Sequence, residues 1–157
     1  MSKIALVLPF ALLCACSPSH TIHTGNGTVT VTEKGGNGDS AVHVTGKDGV
    51  SLDINSGKTI TDYPSDTPLY EGKSMMDAKS LEKHSRVVSI QTPDSAEKIT
   101  DFYKSQIEGK GWKIESTMTS PQMNLFVATK ENRKLTVMIG TDQNAKMQSI
   151  TQTLADK

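Results

Sequence analysis

Apolar residues alternate with polar ones along much of this chain, and glycine-rich turns separate the alternating runs. The first runs place apolar side chains at Val29 and Val31, Val42 and Val44, and Leu52 and Ile54. A period of two puts successive side chains on opposite faces of a strand, so each run predicts a β-strand with one buried face. The glycines between the runs supply the positive φ angles that tight hairpins require. Residues 28–61 are therefore predicted to form a small, glycine-rich antiparallel β meander.

This predicted meander is poor in apolar residues and contains no aromatic residue. A small sheet with one thin apolar face is not expected to be stable by itself. We therefore expect the meander to dock on another part of the chain.

One stretch departs from the period of two and predicts a helix at about residues 95–108. Residues 94–97 fit a capping box in which Asp94 is the N-cap. Apolar residues then recur at steps of three and four, at Ala96, Ile99, Phe102, Tyr103 and Ile107. Gly109 ends the pattern. We expect this stripe to pack on a sheet, with Phe102 deep in the contact.

Strand patterns surround this helix, and short loops connect them. They lie at residues 74–81, 86–91, 112–119, 123–130, 134–140 and 147–154. Because short loops join antiparallel neighbours, the order ββαββββ predicts an α+β fold, one curved antiparallel sheet with a helix across one face. We assign this domain to residues 73–156.

Residues 62–72 separate the meander from this domain. Pro64 and Pro68 exclude a helix and favour an extended path. Since Tyr63 and Tyr70 provide side chains to bury, we predict a proline-containing linker that is pinned against the α+β domain.

The hairpin of residues 123–140 has large apolar side chains on both faces, although a strand with one solvated face would alternate apolar and polar residues. With one count of its turn residues, Leu125, Val127 and Met138 lie on the face away from the helix. With the other count, Phe126 and Met138 lie there. One helix cannot cover both faces. We expect the meander of the same chain to provide the second cover, and a partner protein is the alternative.

The N-terminal region carries Leu13-Cys14-Ala15-Cys16 behind a short apolar run with Lys3 in front. The run is too short for a membrane-spanning helix. The motif resembles the lipobox of bacterial lipoproteins. The resemblance implies that residues 1–15 are a signal peptide and that the Cys16 thiol carries a diacylglycerol. Residues 16–27, which are mostly polar and without periodicity, are then predicted to form a lipidated tether.

The lipoprotein resemblance also implies a location. It implies export to the cell envelope, where the acyl chains attach the protein to a membrane. Ser17 stands where an aspartate would favour the inner membrane, so the resemblance favours the outer membrane. Cleavage removes Cys14, the only other cysteine, so the mature chain is expected to form no disulfide.

Five short segments carry a second resemblance: Tyr63-Pro64, Pro68-Leu69-Tyr70-Glu71-Gly72, Asp94-Ser95-Ala96-Glu97, Asp101-Phe102-Tyr103-Lys104 and Gly111-Trp112. With the strands around them they look like an uncharacterised bacterial lipoprotein domain. Because that domain has no assigned activity, the resemblance implies a fold and no functional residue.

Composition and motifs argue against several classes of function. The chain carries 17 basic and 17 acidic residues without a basic block, so we expect no nucleic-acid partner. His20 and His23 could share a metal only with a further ligand. His84 lies in a charged turn, and the methionines after Met1 have no copper-binding spacing. We therefore assign no catalytic residue, no metal site and no cofactor.

The sequence predicts a non-enzymatic, membrane-anchored envelope lipoprotein that acts as a binding or assembly module. Its expected contacts are the membrane, through lipid on Cys16, and an envelope protein. Two alternatives stay open: an envelope enzyme with an unrecognised site and a metal-handling lipoprotein.

Overall fold

The computed structural model describes residues 19–34, 39–46, 51–57, 59–80, 84–142 and 147–157. These residues contain one open antiparallel sheet with the strand order β1-β2-β3-β4-β5-β6-β10-β9-β8-β7. The strands are β1 (Ser19–Thr24), β2 (Gly27–Lys34), β3 (Asp39–Gly46), β4 (Ser51–Ser56), β5 (Lys73–Ser80), β6 (Ser85–Thr92), β7 (Lys113–Ser120), β8 (Met123–Lys130), β9 (Arg133–Asp142) and β10 (Met147–Asp156). One helix, α1 (Ala96–Gly109), follows β6 and packs on one face, which we call the helix face. The opposite side is the outer face.

The prediction of an antiparallel sheet with one helix is confirmed, and the described strands are more numerous than the sequence predicted. The additional strand is β1, which lies inside the range 16–27 where an irregular tether was expected. It pairs with β2 from Ser19 to Thr24. The side chains add two cross-strand contacts, Thr21 Oγ1 to Thr30 Oγ1 at 3.2 Å and His23 Nδ1 to Thr28 Oγ1 at 3.3 Å. The expectation was wrong because β-branched, polar side chains suit an exposed strand without any apolar alternation.

The meander joins the α+β domain edge to edge. β4 pairs with β5 from Leu52 opposite Ser80 to Asn55 opposite Asp77. The meander therefore lengthens the sheet and does not lie over its outer face, contrary to the expectation for that face. In this arrangement the backbone N–H and C=O groups on the edge of β5 form hydrogen bonds with β4. If the meander packed on the outer face instead, those backbone groups would have no strand partner. Parts of the glycine-rich turns, at 35–38, 47–50 and 58, lie outside the described residues.

Ser95, rather than Asp94, is the N-cap of α1. The Ser95 side chain accepts a hydrogen bond from the backbone N–H of Lys98 at 3.3 Å. Asp94 was predicted to be the cap, but its carboxylate accepts from Tyr70 Oη at 2.6 Å and from Lys98 Nζ at 2.8 Å. Tyr70 and Lys98 bind separate oxygens of this carboxylate, so Asp94 joins the linker to the first turn of the helix.

The core lies between α1 and the strands β6, β8, β9 and β10. Ile99, Tyr103 and Ile107 are fully buried, whereas Phe102 is only partly buried. The expectation that Phe102 lies deep in the contact is therefore corrected, because the helical stripe is centred on the Tyr103 side. Phe102 instead packs edge-on against Tyr70, with the ring centroids 4.9 Å apart.

The linker 62–72 packs closely against this core. Tyr70 is buried, and Tyr63 and Leu69 pack against the buried cluster. At the end of the linker, a Cβ added to Gly72 would lie 2.5 Å from Ile90 Cγ2, so this close approach requires glycine. The segment is thus part of the folded domain.

The β8–β9 hairpin has a two-residue turn, because Lys130 is paired with Arg133. Phe126 is opposite Val137 on the helix face, and both are buried. Leu125 is opposite Met138 on the outer face. The first of the two predicted registers is therefore the correct one.

Candidate functional site

The predicted lipidation residue Cys16 lies outside the described residues, as do the lipobox and the signal peptide of residues 1–15. In the part of the chain that the structure describes, no helix has the length and apolar character that crossing a membrane requires.

The two histidines of β1 do not form a metal site. His20 and His23 are three residues apart on a strand, so their side chains leave opposite faces of the sheet. Among the described residues, no group of three or more His, Cys, Asp or Glu side chains is placed to hold a metal ion.

His84 lies at the mouth of an open cleft of about 580 Å³. The cleft is bounded by the ends of β5, β6, β9 and β10 and by Pro64 of the linker. Its lining residues with ionisable side chains are Asp62, Lys79, His84, Arg86, Arg133 and Asp156. His84 Nδ1 is 3.7 Å from Asp156 Oδ2, and both side chains are more than half exposed.

Arg86 at the floor of this cleft is committed to structural contacts. Its Nε and Nη2 donate to the two carboxylate oxygens of Asp77 at 2.7 and 2.6 Å. Its Nη1 and Nη2 also donate to the backbone carbonyls of Asp62 and Thr61 at 3.0 and 2.7 Å. The guanidinium is therefore not available to bind a ligand.

Arg133 on the cleft wall is committed in the same way. It forms a bidentate pair with Asp66, which also accepts from Lys130 Nζ at 3.0 Å. The hydrogen bonds from Arg133 and then Lys130 hold the pKa of Asp66 well below its usual range. The Arg133 guanidinium lies over the Trp112 ring, 5.2 Å from its centroid. This network fixes the linker to β8 and β9, so the cleft contains no free arginine among its described lining residues.

Polar groups fill the space between the helix and the sheet. Tyr103 Oη donates to Gln152 Oε1 at 2.9 Å, and Gln152 Nε2 donates to Tyr63 Oη at 2.6 Å and to Pro68 O at 2.7 Å. Burial raises the pKa of Tyr63 to about 12. A ligand cannot enter this space without displacing a buried, hydrogen-bonded side chain.

Thr45, His43 and Asp53 form a hydrogen-bonded line on the helix face of the meander. His43 Nδ1 bonds to Asp53 Oδ1, and His43 Nε2 lies 3.0 Å from Thr45 Oγ1. A hydroxyl, an imidazole and a carboxylate in this order resemble the parts of a nucleophilic relay. The His43 and Asp53 side chains are 51% and 40% exposed, however, so solvent water surrounds the line.

The outer face carries a row of aliphatic side chains across the meander. The strand register places Ile22 opposite Val29, Val29 opposite Val44, and Val44 opposite Leu52. Directly opposite residues of antiparallel strands share a face, so these four side chains form one continuous strip, which we call the aliphatic row. Ile22 ends the row and is 59% exposed.

The outer face of the other half of the sheet carries an uncharged apolar cluster. Met118 of β7 is opposite Leu125 of β8, which is opposite Met138 of β9. Met118 and Met138 are 47% and 41% exposed. We call these three residues the methionine patch. Of the other methionines, Met75 is also exposed, and Met76, Met123 and Met147 are half-buried.

Sequence reasoning identified Leu125 and Met138 of this patch and missed its third member. Met118 could be placed only after the β7–β8 register was known, since β7 contains a bulge between Ile114 and Ser116. The His43 line was missed for the same reason, because it depends on the pairing of β3 with β4.

Comparison with known proteins gives one partial match. A family model described as START domain-like matches residues 73–148, slightly less than half of the chain. The match begins at the first residue of β5, includes α1 and ends in β10. No curated protein and no solved structure matches the chain significantly. The region from β5 to the beginning of β10 is therefore similar to START domain-like proteins.

Proposed function

We propose that this protein is a non-enzymatic binding or assembly module, held at the outer membrane of the cell envelope by lipid on Cys16. Its binding surface for an envelope protein is the methionine patch on the outer face. The observation that carries this proposal is the exposure of Met118 and Met138 on a face that no described element covers.

The chemistry of the patch supports binding. Methionine side chains are flexible and polarizable, so they adapt to the shape of a partner. Here they stand on paired strands, which fix their backbone positions. An exposed group of large apolar side chains on a rigid sheet is typical of an interaction surface.

The polar groups of the protein support a non-enzymatic role. Arg86 and Arg133 in the cleft are bonded to carboxylates, and the space under the helix is filled by Tyr103 and Gln152. Because hydrogen bonds within the protein already occupy these side chains, they are not free to act on a substrate.

A pair of substitutions tests the binding surface. Met138→Lys puts a charge in the patch, and Ser105→Lys puts the same charge on the exposed side of α1. After crosslinking in native membranes, we expect one discrete envelope protein to be joined to the parent chain. Met138→Lys should lower the yield of this crosslinked product by about tenfold, the effect of a modest loss of binding free energy. Ser105→Lys should leave the yield unchanged. Equal yields from the two variants would contradict the proposed surface.

A second candidate, an envelope hydrolase, has one observation in its favour, the Thr45–His43–Asp53 line. Thr45 would be the nucleophile and His43 the base. An acylating ester probe tests it: covalent labelling of the parent chain that is lost in Thr45→Val would favour the hydrolase over the binding module.

A further inference from the structure

The two edges of the sheet differ in how they are protected. An edge strand presents unpaired backbone N–H and C=O groups, and proteins usually block such edges with charges, prolines or bulges. β7 has these features: a bulge at Glu115, and an ion pair between Lys113 and Glu115 with N and O 3.4 Å apart. Its free edge is thus unsuited to a further strand.

β1 has none of these features. Ser19–Thr24 contains no proline and no Asp, Glu, Lys or Arg, and its register with β2 has no bulge. All six residues are exposed. Among the described residues no strand pairs with the second edge of β1, so this edge is open to pairing with another strand.

We propose that β1 pairs antiparallel with β1 of a second copy of this chain, around a two-fold axis at Ile22. Residues that lie opposite each other on antiparallel strands must have side chains on the same face of the sheet. With a two-fold axis perpendicular to the sheet, this holds when both residue numbers of each pair are odd or both are even. Centring on Ile22 places Ile22 opposite its counterpart, Thr21 opposite the second copy's residue 23, and His20 opposite its residue 24.

The aliphatic row is the reason to choose a second copy as the occupant. The row Leu52, Val44, Val29 and Ile22 ends at the β1 edge with its most exposed member. A second copy in this register continues the row from Ile22 into an identical strip, so eight aliphatic side chains run without a polar interruption. Because β1 contains no Asp, Glu, Lys or Arg, the pairing brings no like-charged acidic or basic side chains of these types opposite one another.

The pairing is expected to be weak in dilute solution. A single strand pair buries much less than the roughly 800 Å² per partner of a standard interface. Attachment of both copies to one membrane raises their effective concentration, and this part of the inference rests on the lipid anchor of the proposed function. The dimer should therefore be sought in membranes.

Cysteine crosslinking in membranes tests the register. Opposite residues on antiparallel strands have Cα atoms about 4.5 to 5.5 Å apart, within the range of a disulfide. We expect the full-length Ile22→Cys chain to form a covalent dimer on mild oxidation. The control is Ser116→Cys, an exposed residue on the other edge strand and the same face, outside the methionine patch. It should give about tenfold less dimer, as expected for a thiol without a partner within reach.

Two further variants fix the axis. Thr21→Cys mixed with His23→Cys should crosslink, whereas each alone should not, because like positions would be about 8 Å apart in this register. Strong crosslinking of Thr21→Cys alone would overturn the axis at Ile22. An Ile22→Cys chain that stays monomeric, or that joins a different protein, would overturn the second copy as occupant.

A measurement without thiols separates this inference from the lipid anchor. Energy transfer between two C-terminally labelled copies in one membrane should fall in Ile22→Lys and stay unchanged in Ser116→Lys, which adds the same charge to the exposed outer face of the other edge strand. A dimer formed by the parent chain on oxidation would report a free thiol at Cys16, and so a failure of the anchor. Energy transfer that is equal in Ile22→Lys and the parent, with the chain in the membrane, would overturn the strand pairing itself.

Discussion

Arg86 and Asp77 form a bidentate ion pair between neighbouring strands, with N to O distances of 2.7 and 2.6 Å and both side chains less than a tenth exposed. The same guanidinium binds the carbonyls of Thr61 and Asp62, so it joins the linker to the sheet. A planar group with several donors is required at this position, and lysine cannot replace it.

Arg86→Lys should therefore destabilise the protein. Lysine keeps the charge but leaves one oxygen of the buried Asp77 carboxylate and the linker carbonyls of Thr61 and Asp62 without their donors. An acceptor left unsatisfied in a buried site costs about 1 to 3 kcal/mol, so we expect a loss of this size in denaturant unfolding. Lys79→Met, which removes a positive charge on the cleft wall, is the control and should have little effect. Equal unfolding midpoints for the two variants would show that the pair does not stabilise the linker.

Tyr103 should matter more than Phe102. Tyr103→Phe leaves Gln152 Oε1 buried without its donor, which costs about 1 to 3 kcal/mol. Tyr103→Ala adds a cavity and should approach the roughly 3 to 5 kcal/mol of a large core truncation. Phe102→Ala removes a partly buried ring and should cost less, and Lys104→Ala should be nearly silent. Thermal unfolding would contradict this ranking if Phe102→Ala were the most damaging of the four.

The protein should lose stability at alkaline pH through its tyrosines. Burial raises the pKa of Tyr63 and of Tyr70 to about 12. Burial raises the pKa of Tyr103 as well. A folded-state pKa above the unfolded value of about 10 means that the contribution of each hydroxyl is complete below pH 10 and is lost as pH rises towards 12.

Denaturant unfolding followed between about pH 9 and pH 12 measures this loss, with tyrosinate absorbance as the readout of ionisation. We expect the three tyrosines to ionise together with unfolding. Tyr63→Phe removes one titrating group and should flatten the decline. Tyrosines that ionise near pH 10 in the folded protein would contradict their burial.

Cys16→Ser should abolish membrane retention. The proposed anchor depends on one thiol, because Cys14 is on the discarded side of the lipobox. We expect the variant to remain uncleaved and to leave the detergent phase, with a mass that lacks acyl chains. A Cys16→Ser protein that is still acylated and cleaved would show that the interpretation of residues 13–16 as a lipobox is wrong.

Deletion of residues 19–56 should leave the α+β domain folded. All the buried hydrophobic residues among those described lie at Tyr70 or beyond, so β1 to β4 contribute none of the core. The newly exposed edge, β5, has a bulge between Ser74 and Met76, with lysines at 73 and 79. We expect the protein without residues 19–56 to be monomeric and to unfold within a few degrees of the parent, the shift that a small change in the free energy of unfolding produces. A shortened protein that does not fold would contradict the independence of the α+β domain.

The helix and the strands of residues 73–156 could be predicted to within a residue or two, because periodicity within one element is a local property of the sequence. The sequence could not show which of Phe102 and Tyr103 is more deeply buried, since these neighbours lie on the same helical stripe and differ by only one step of rotation about the helix axis. β1 was missed because an exposed strand needs no apolar alternation. The methionine patch was found in part, since its Leu125 and Met138 lie in one hairpin without a bulge. The position of Met118 depends on the bulged register of β7 with β8, and the aliphatic row depends on the registers of four successive strands.

The strand order also determines how far the proposed binding surface stands from the proposed anchor. Only residues 17 and 18 separate Cys16 from Ser19, a reach of about 10 Å when fully extended. β1 would then lie beside the lipid head groups. Nine strand intervals of about 4.8 Å, roughly 43 Å along the sheet, separate β1 from β7. With this proposed anchor, the meander would set the distance along the sheet between the lipid and Met118, and inserting or deleting a hairpin would change that distance in steps.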